Sequence, residues 1–476
     1  MSTSGANRGI FTRLGDGASS LVQRYLPDAF IFALMLTFLT MILATLLTDK
    51  GPVAVVTHWG EGFWFVLAFS MQASLALLTG WAFADSPPIK RVLGRIAEIP
   101  KTQKQAIFAT AVVGQLFGLF HWGVVLVAGA IFAREIGIAM EQKDIDVHYP
   151  LLVATGYAGL LPWHQGLSGA SLLLVATPDH FLAGEIGVVP VSQTIFNPAN
   201  LLIVAGVVLV TVILMPLMAP DNEEDLITVP EDQLRKAEQA VADGGSQADE
   251  SDAVMPNRLR EAGYKTALLD SKAVGIGLGL IIWAYLGYMF ATNDFMDVFN
   301  LNVFISVMFG LGFLFHGTLR SYIDVFRDAI KGASQILIQF QFYGGIMGIM
   351  AWSGLATLIA QTAAQYSTET TWYLAAFLSA GTVNFFVPSG GGQWVVTGQV
   401  MIDAAQGIPG VAIDKTMIAF AMGDQWTNMI QPFWALPALG IAGLSIRDMM
   451  GYVGVLFLFS GAVMGIGALL MGLGIL

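Results

Sequence analysis

Long apolar runs dominate the chain, and polar residues come in short bursts between them. Eleven segments carry little or no charge: 29–48, 63–84, 106–133, 150–178, 195–220, 273–293, 300–315, 332–368, 371–402, 416–446 and 450–476. Most exceed the ~18–20 residues that take a helix across a bilayer. The pattern predicts an all-α polytopic membrane protein, with the charged stretches between segments as loops. Four segments are interrupted where an apolar helix should be most regular. They read GLFHWG in 106–133, LLPWHQGLSG in 150–178, FFVPSGGGQW in 371–402 and GDQWTNMIQPFW in 416–446. Pro162 and Pro432 each remove a backbone donor, and the glycines loosen the chain. Lipid cannot satisfy the groups so freed, so these patches belong against protein or a water-filled cavity.

Composition sharpens this picture. The 476 residues are 55% hydrophobic and 12% charged, with mean hydropathy +0.68, whereas soluble domains carry about 25% charge. The absence of cysteine excludes disulfides and thiolate metal sites. Net charge is −12, and eleven acidic residues crowd into 221–252 beside Arg235 and Lys236, a composition that reads as a disordered linker. No basic patch offers nucleic acid a surface. Arg8 and Arg13 are not followed by the short apolar core and cleavage site of a signal peptide.

The 22 Lys and Arg concentrate in 1–28, 85–105, 221–272 and 316–331, which the positive-inside rule assigns to the cytoplasm. Three segments then separate 85–105 from 221–272, an odd number for two loops on one side. Parity returns if 106–133 enters and leaves from the same side. As straight helix it would be ~42 Å long, too long for one ~30 Å core and too short for two crossings. The same reasoning makes 371–402 a second re-entrant hairpin, entering from outside. The chain divides into a cytoplasmic N-terminal segment (1–28), a first inverted repeat (29–220), an acidic cytoplasmic linker (221–272), a connecting transmembrane helix (273–293) and a second inverted repeat (300–476). Inverted repeats with two re-entrant hairpins and two broken transmembrane helices meeting near the midplane are a signature of secondary transporters.

The expected site lies at the four interruptions. Half-helices that begin there aim positive dipole ends and unpaired N–H groups inward. Ser389, Gly390, Gly391, Gly392, Gln393, Thr427, Asn428 and Gln431 contribute neutral polar groups and close backbone from the second half. His121, Trp122, Gly123, Trp163, His164 and Gln165 do so from the first. Such an array suits a carboxylate, and no Lys or Arg lies within these patches to balance a multiply charged anion. A carrier for di- or tricarboxylates is the nearest alternative. Asp424 is the carboxylate at depth, and intramembrane ionisable groups are costly and usually functional. It could bind Na⁺ with nearby carbonyls, accept a proton, or cap the broken helix near Thr427 and Asn428. For His121 and His164 a structural hydrogen bond competes with proton transfer, and two histidines do not make a metal site. No cofactor is expected beyond a coupling Na⁺ or H⁺. An intramembrane hydrolase would need Ser389 as nucleophile with His121 and Asp424 in support, and the inverted repeat has no use in such an enzyme.

Three motifs carry a family resemblance: FFVPSGGGQWVVTGQ, GDQWTNMIQPFWALPALGIAGLSIRDMMGY and the early YLPDAFIFALMLTFLT. From about Leu26 to the C-terminus the chain resembles the bacterial short-chain fatty acid transporters, associated with acetoacetate and butyrate. The resemblance implies an elevator-type carrier of the wider ion-transporter superfamily, often coupled to Na⁺ or H⁺ and often a homodimer in the bilayer. The chain departs from the family pattern at His121, where an Asn precedes the Trp-Gly. It departs again at Trp163-His164-Gln165-Gly166, where a Trp-Gly-Gly-Gly run is associated with the broken helix.

Overall fold

The computed structural model describes residues 29–65, 67–178, 180–220, 226–231, 233–235, 263–293, 295–299, 301–385 and 390–476. The N-terminal segment and most of the acidic linker lie outside the described residues. All regular elements among the described residues are helical, in keeping with the all-α expectation. The described residues begin with α1 (Ala29–Leu47), α2 (Pro52–Phe65), α3 (Leu67–Asp85) and α4 (Pro87–Ala97). Next come α5 (Gln103–Phe120) and α6 (Trp122–Glu141), joined through the single extended residue His121 at φ −160°, ψ 126°. The broken segment follows as α7 (Tyr149–Ala158), a 3-10 turn at Trp163–Gln165 and α8 (Ala170–Val175), and then α9 (Pro198–Leu217).

Beyond the linker come α10 (Lys272–Thr292), α11 (Leu301–His316), α12 (Leu319–Trp352) and α13 (Leu355–Gln365). Second-half elements are α14 (Trp372–Asn384), α15 (Gly390–Gln406), α16 (Ile413–Asn428), α17 (Pro432–Ala442) and α18 (Ile446–Gly472). Four of these helices, α6, α9, α10 and α18, are long and apolar enough to cross a membrane by themselves. The interrupted segments are divided into shorter pieces, as their Gly, Pro and polar residues require.

Three stretches expected to be loops are helical. Residues 49–62 contain most of α2, 85–105 contain α4, and 316–331 are largely the start of the 34-residue α12. Local charge density misleads there, because one helical face can carry charge while the other packs. In α4, Leu93 and Ala97 are buried while Arg91 stays exposed, and Lys90 pairs with Asp85 at 2.6 Å. Pro52 and Pro87 occupy first-turn positions, where a missing N–H costs nothing. The 332–368 segment is also split, at Gly354, whose φ of +84° suits glycine.

Buried apolar residues fall into two clusters. The smaller unites α1, α2, α12 and α13 through Leu36, Val55, Tyr343, Ile346 and Leu355. The larger gathers α3 to α9 with α14 to α18 and holds all the described interruptions. Within it α7 nests in the α5–α6 hairpin along a seam of glycines. A Cβ at Gly159 would stand 2.5 Å from the Gly114 oxygen, and one at Gly129 would stand 2.6 Å from the Gly156 oxygen. Only glycine permits that approach, which sets the turn at 163–165 beside the hairpin tip.

Candidate functional site

At the first hairpin tip, His121 serves its own helix. Its Nδ1 accepts from the backbone N–H groups of Gly123 (2.8 Å) and Val124 (3.1 Å), two of the orphan donors at the start of α6. The Trp122 N–H donates to Ser168 Oγ at 3.0 Å, tying the tip to the loop beyond the first break. Aromatic faces extend the connection. His121 stacks on Phe304 at 4.4 Å, and Trp122 meets Trp163 and Trp434 edge-on at 6.4 and 5.5 Å. Trp163 in turn stacks on His164 at 4.4 Å. Gly123 lies close to α3, where a Cβ would stand 3.1 Å from the Ala76 oxygen.

His164 joins the two broken segments. The Ser171 N–H donates to its Nε2 at 3.1 Å, so that nitrogen presents a lone pair and the ring proton sits on Nδ1. Nδ1–H then donates to Asp424 Oδ2 at 2.7 Å, with both side chains fully buried. Ser171 Oγ reaches the same Nε2 at 2.6 Å. Beside this pair, Gln425 Oε1 accepts from the backbone N–H groups of His164 (3.0 Å) and Gln165 (3.1 Å). Gln425 Nε2 donates to Gln165 Oε1, and Gln165 Nε2 donates to Asn200 Oδ1 at 2.7 Å. The unwound backbone of one break is therefore capped by a side chain from the helix leading into the other.

The start of α15 closes over the same pair. At Gly390, the first residue of α15, a Cβ would come within 2.4 Å of His164 Cε1 and 2.8 Å of the Trp163 ring. Asn384, at the end of α14, uses its Nδ2 to reach Asp424 O (2.8 Å), Thr427 Oγ1 (2.7 Å) and Asn428 Oδ1 (3.0 Å). Gln431 Nε2 donates to Asn384 O at 2.6 Å, and Gln393 Nε2 to Ala380 O at 2.7 Å. Tyr157 of α7 donates to the Asn428 carbonyl at 2.8 Å.

The sequence-predicted residues His121, Trp122, Gly123, Trp163, His164, Gln165, Gly390, Gln393, Asp424, Thr427, Asn428 and Gln431 thus share one connected patch, with Gly391 and Gly392 in the first turn of α15. Ser389 lies outside the described residues. Asp424 sits within α16 and faces His164 across the break, so the expected alternative of a cap near Thr427 and Asn428 is not its principal contact; Asn428 Nδ2 is 3.5 Å away. Trp426 stacks flat on Phe457 at 4.2 Å and donates to the Phe457 carbonyl, which makes it packing. Sequence reasoning missed Asn384, Gln425, Asn200 and Ser171, each a polar residue in an apolar helix whose partners come from other helices. No group of three His, Asp or Glu that could hold a metal ion occurs among the described residues. One cavity of about 400 Å³ lies elsewhere, lined by Leu43, Met350, Leu355, Ile359 and Thr382, and has no part in this polar patch.

Apolar spans interrupted by polar breaks that pack on one another are what a multi-pass membrane transporter needs, and comparison with known proteins fixes that class. The family model described as "Short chain fatty acid transporter" matches residues 10–471. Two curated relatives carry the name "Putative short-chain fatty acid transporter". The one from Escherichia coli (strain K12) is 38% identical over 456 residues, covering 96% of this chain and 98% of that protein. The one from Haemophilus influenzae (strain ATCC 51907 / DSM 11121 / KW20 / Rd) is 36% identical over 466 residues, covering 96% and 99%. The chain belongs to the short-chain fatty acid transporter family, a family of transporters and not of enzymes. Among solved structures, the Alcanivorax borkumensis YdaH transporter aligns at 16% identity with a TM-score of 0.48, covering 96% of this chain and 98% of that one. Neisseria gonorrhoeae MtrF aligns at 14% identity with the same TM-score of 0.48, covering 96% and 97%.

Proposed function

We propose that this protein is a secondary active carrier that moves short monocarboxylates, such as butyrate or acetoacetate, across the cytoplasmic membrane in symport with H⁺ or Na⁺. Its N-terminus lies in the cytoplasm, and 29–220 and 300–476 act as inverted repeats of an elevator-type carrier, with re-entrant hairpins at 106–133 and 371–402. The substrate site comprises His121, Trp122, Gly123, Trp163, His164, Gln165, Ser389 to Gln393, Thr427, Asn428 and Gln431, with Asp424 as the ion-coupling residue. The observation that carries this reading is the contact between the breaks. His164 of one half holds Asp424 of the other at 2.7 Å, and Gly390 of the second hairpin rests on both His164 and Trp163. Irregular backbone and polar groups gathered inside an apolar protein are what a midplane solute site requires.

A singly charged anion fits better than a di- or tricarboxylate, because these patches contain no Lys or Arg. Labelled butyrate uptake into proteoliposomes, under separately imposed Na⁺ and proton gradients, is the test. Saturable uptake driven by one gradient and competed by acetoacetate is expected. Saturable uptake of labelled succinate in place of labelled butyrate would transfer the protein to the dicarboxylate carriers.

A further inference from the structure

The cavity of about 400 Å³ lies on the seam between the two cores. Leu43 and Leu47 of α1, Met350 of α12 and Leu358 and Thr362 of α13 line it from helices of the smaller core. Thr382 closes it from α14, whose Trp372, Phe377 and Ala380 belong to the larger. Both threonine hydroxyls are committed to their own helices. Thr362 Oγ1 donates to Leu358 O at 2.6 Å, and Thr382 Oγ1 donates to Leu378 O at 2.8 Å. These lining side chains therefore present hydrocarbon and no free donor.

That wall decides between occupants. Water gains nothing from a space without polar partners, and apolar cavities of about 150 Å³ stay dry and admit benzene. A carboxylate is also unsuited, because its charge would be desolvated with no N–H or O–H to meet it. Hydrocarbon remains, and the volume has room for more of it than a single ring. The opening borders lipid: Leu47 and Leu358 are 55% and 40% exposed, and apolar surface on a membrane-spanning protein lies against acyl chains. A cation stands at the same end of α1. Lys50 comes three residues after Leu47, and its ammonium pairs loosely with the exposed Asp49 at 3.4 Å. A Lys just beyond a membrane helix is placed for a lipid phosphate.

We infer that this cavity seats a single acyl chain of a bilayer phospholipid, with the headgroup toward Lys50 at the end of α1. The chain rests on Thr382, two residues before Asn384, whose Nδ2 holds Asp424 O and Thr427 Oγ1. Lipid in the seam thus abuts the turn of α14 that leads into the polar patch. The assignment is independent of which solute the patch carries.

The test uses the intact protein in vesicles of phosphatidylethanolamine and phosphatidylglycerol. A trace of the phosphatidylglycerol carries a photoactivatable diazirine on one acyl chain, and labelled positions are mapped by peptide mass spectrometry after irradiation. Label should concentrate several-fold at Leu358, Thr362 and Thr382 over Ile281 and Tyr285 of α10, which are 66% and 62% exposed. Leu358→Trp and, separately, Thr382→Phe fill the space, and each should bring label at the remaining cavity positions down to the α10 level. Equal label at the cavity and on α10 in the wild-type protein overturns the site, as does cavity label that persists in a folded, filled variant. Displacement of the label by butyrate also overturns it, by making the cavity a place for carboxylates. If neither variant folds, the wild-type ratio and the butyrate competition still decide.

Discussion

His121 and His164 occupy the same kind of place, a break in an apolar segment, and are connected in opposite senses. His121 accepts through Nδ1 from two amides of its own helix, which leaves its proton on Nε2 with no acceptor among the described residues. His164 accepts through Nε2 and donates through Nδ1 to a residue 260 positions away. In each case a backbone N–H decides the tautomer, since it can only be met by a ring lone pair. The comparison teaches that a buried histidine's role is set by which amides reach it. One ends as a helix cap with a spare donor, the other as a bridge between halves.

Breaking the bridge should have the largest effect. His164→Ala removes the shortest hydrogen bond to the buried Asp424 carboxyl and leaves Asn428 Nδ2 at 3.5 Å, and loss of such a partner costs a buried polar group about 3 kcal/mol, to be read as a fall in Tm in detergent. His164→Asn should recover little of this, because Asn is too short to reach both Asp424 and Ser171. Gly390→Ala tests the lid over the pair. Its Cβ would sit 2.4 Å from His164 Cε1, and overpacking of that kind costs about 1–3 kcal/mol, with a parallel loss of butyrate uptake.

The cap is worth less. His121→Ala should cost about 1 kcal/mol, whereas His121→Asn should restore most of it because Asn caps helices well. An exposed ion pair supplies the smallest effect. Arg320 donates to Asp270 at 2.5 and 3.0 Å, and this hydrogen bond holds the Asp270 carboxyl below the usual carboxylate range. Its contribution is present above that ordinary range and lost as pH falls through the lowered value. Arg320→Ala should change stability by less than about 1 kcal/mol, and less still in high salt. If Arg320→Ala cost as much as His164→Ala, burial would not be what gives the His164–Asp424 pair its weight.

The breaks were legible because Gly, Pro and polar residues stand out against apolar runs, and His121, Trp163, His164, Gln165 and Asp424, chosen from them, fall in one neighbourhood. Their partners were not. Nothing local to His164 announces Asp424, and nothing local to Gln165 announces Gln425 or Asn200, because those contacts are created by the packing of α7, α9 and α16. Asn384 was hidden for another reason: a single amide between Val383 and Phe385 looks like an incidental polar residue until its neighbours are known. The helices α2, α4 and the start of α12 were obscured by charge. A cluster of Lys and Arg does not by itself mark loss of helix, as Arg91 and Arg320 show.

The length of α12 has a consequence for the membrane itself. Its 34 residues make one unbroken rod, about 51 Å at 1.5 Å per residue, against roughly 30 Å of hydrocarbon. Arg320, Asp324, Arg327, Asp328 and Lys331 all fall in its first 13 residues, so that end belongs among headgroups while the uncharged remainder fills the bilayer. A rod anchored in this way sets the hydrophobic thickness at which the smaller core rests without strain, and mismatch costs fractions of a kcal/mol for each Å. The acyl-chain length of the host lipids is thereby coupled, through tilt of α12, to the smaller core.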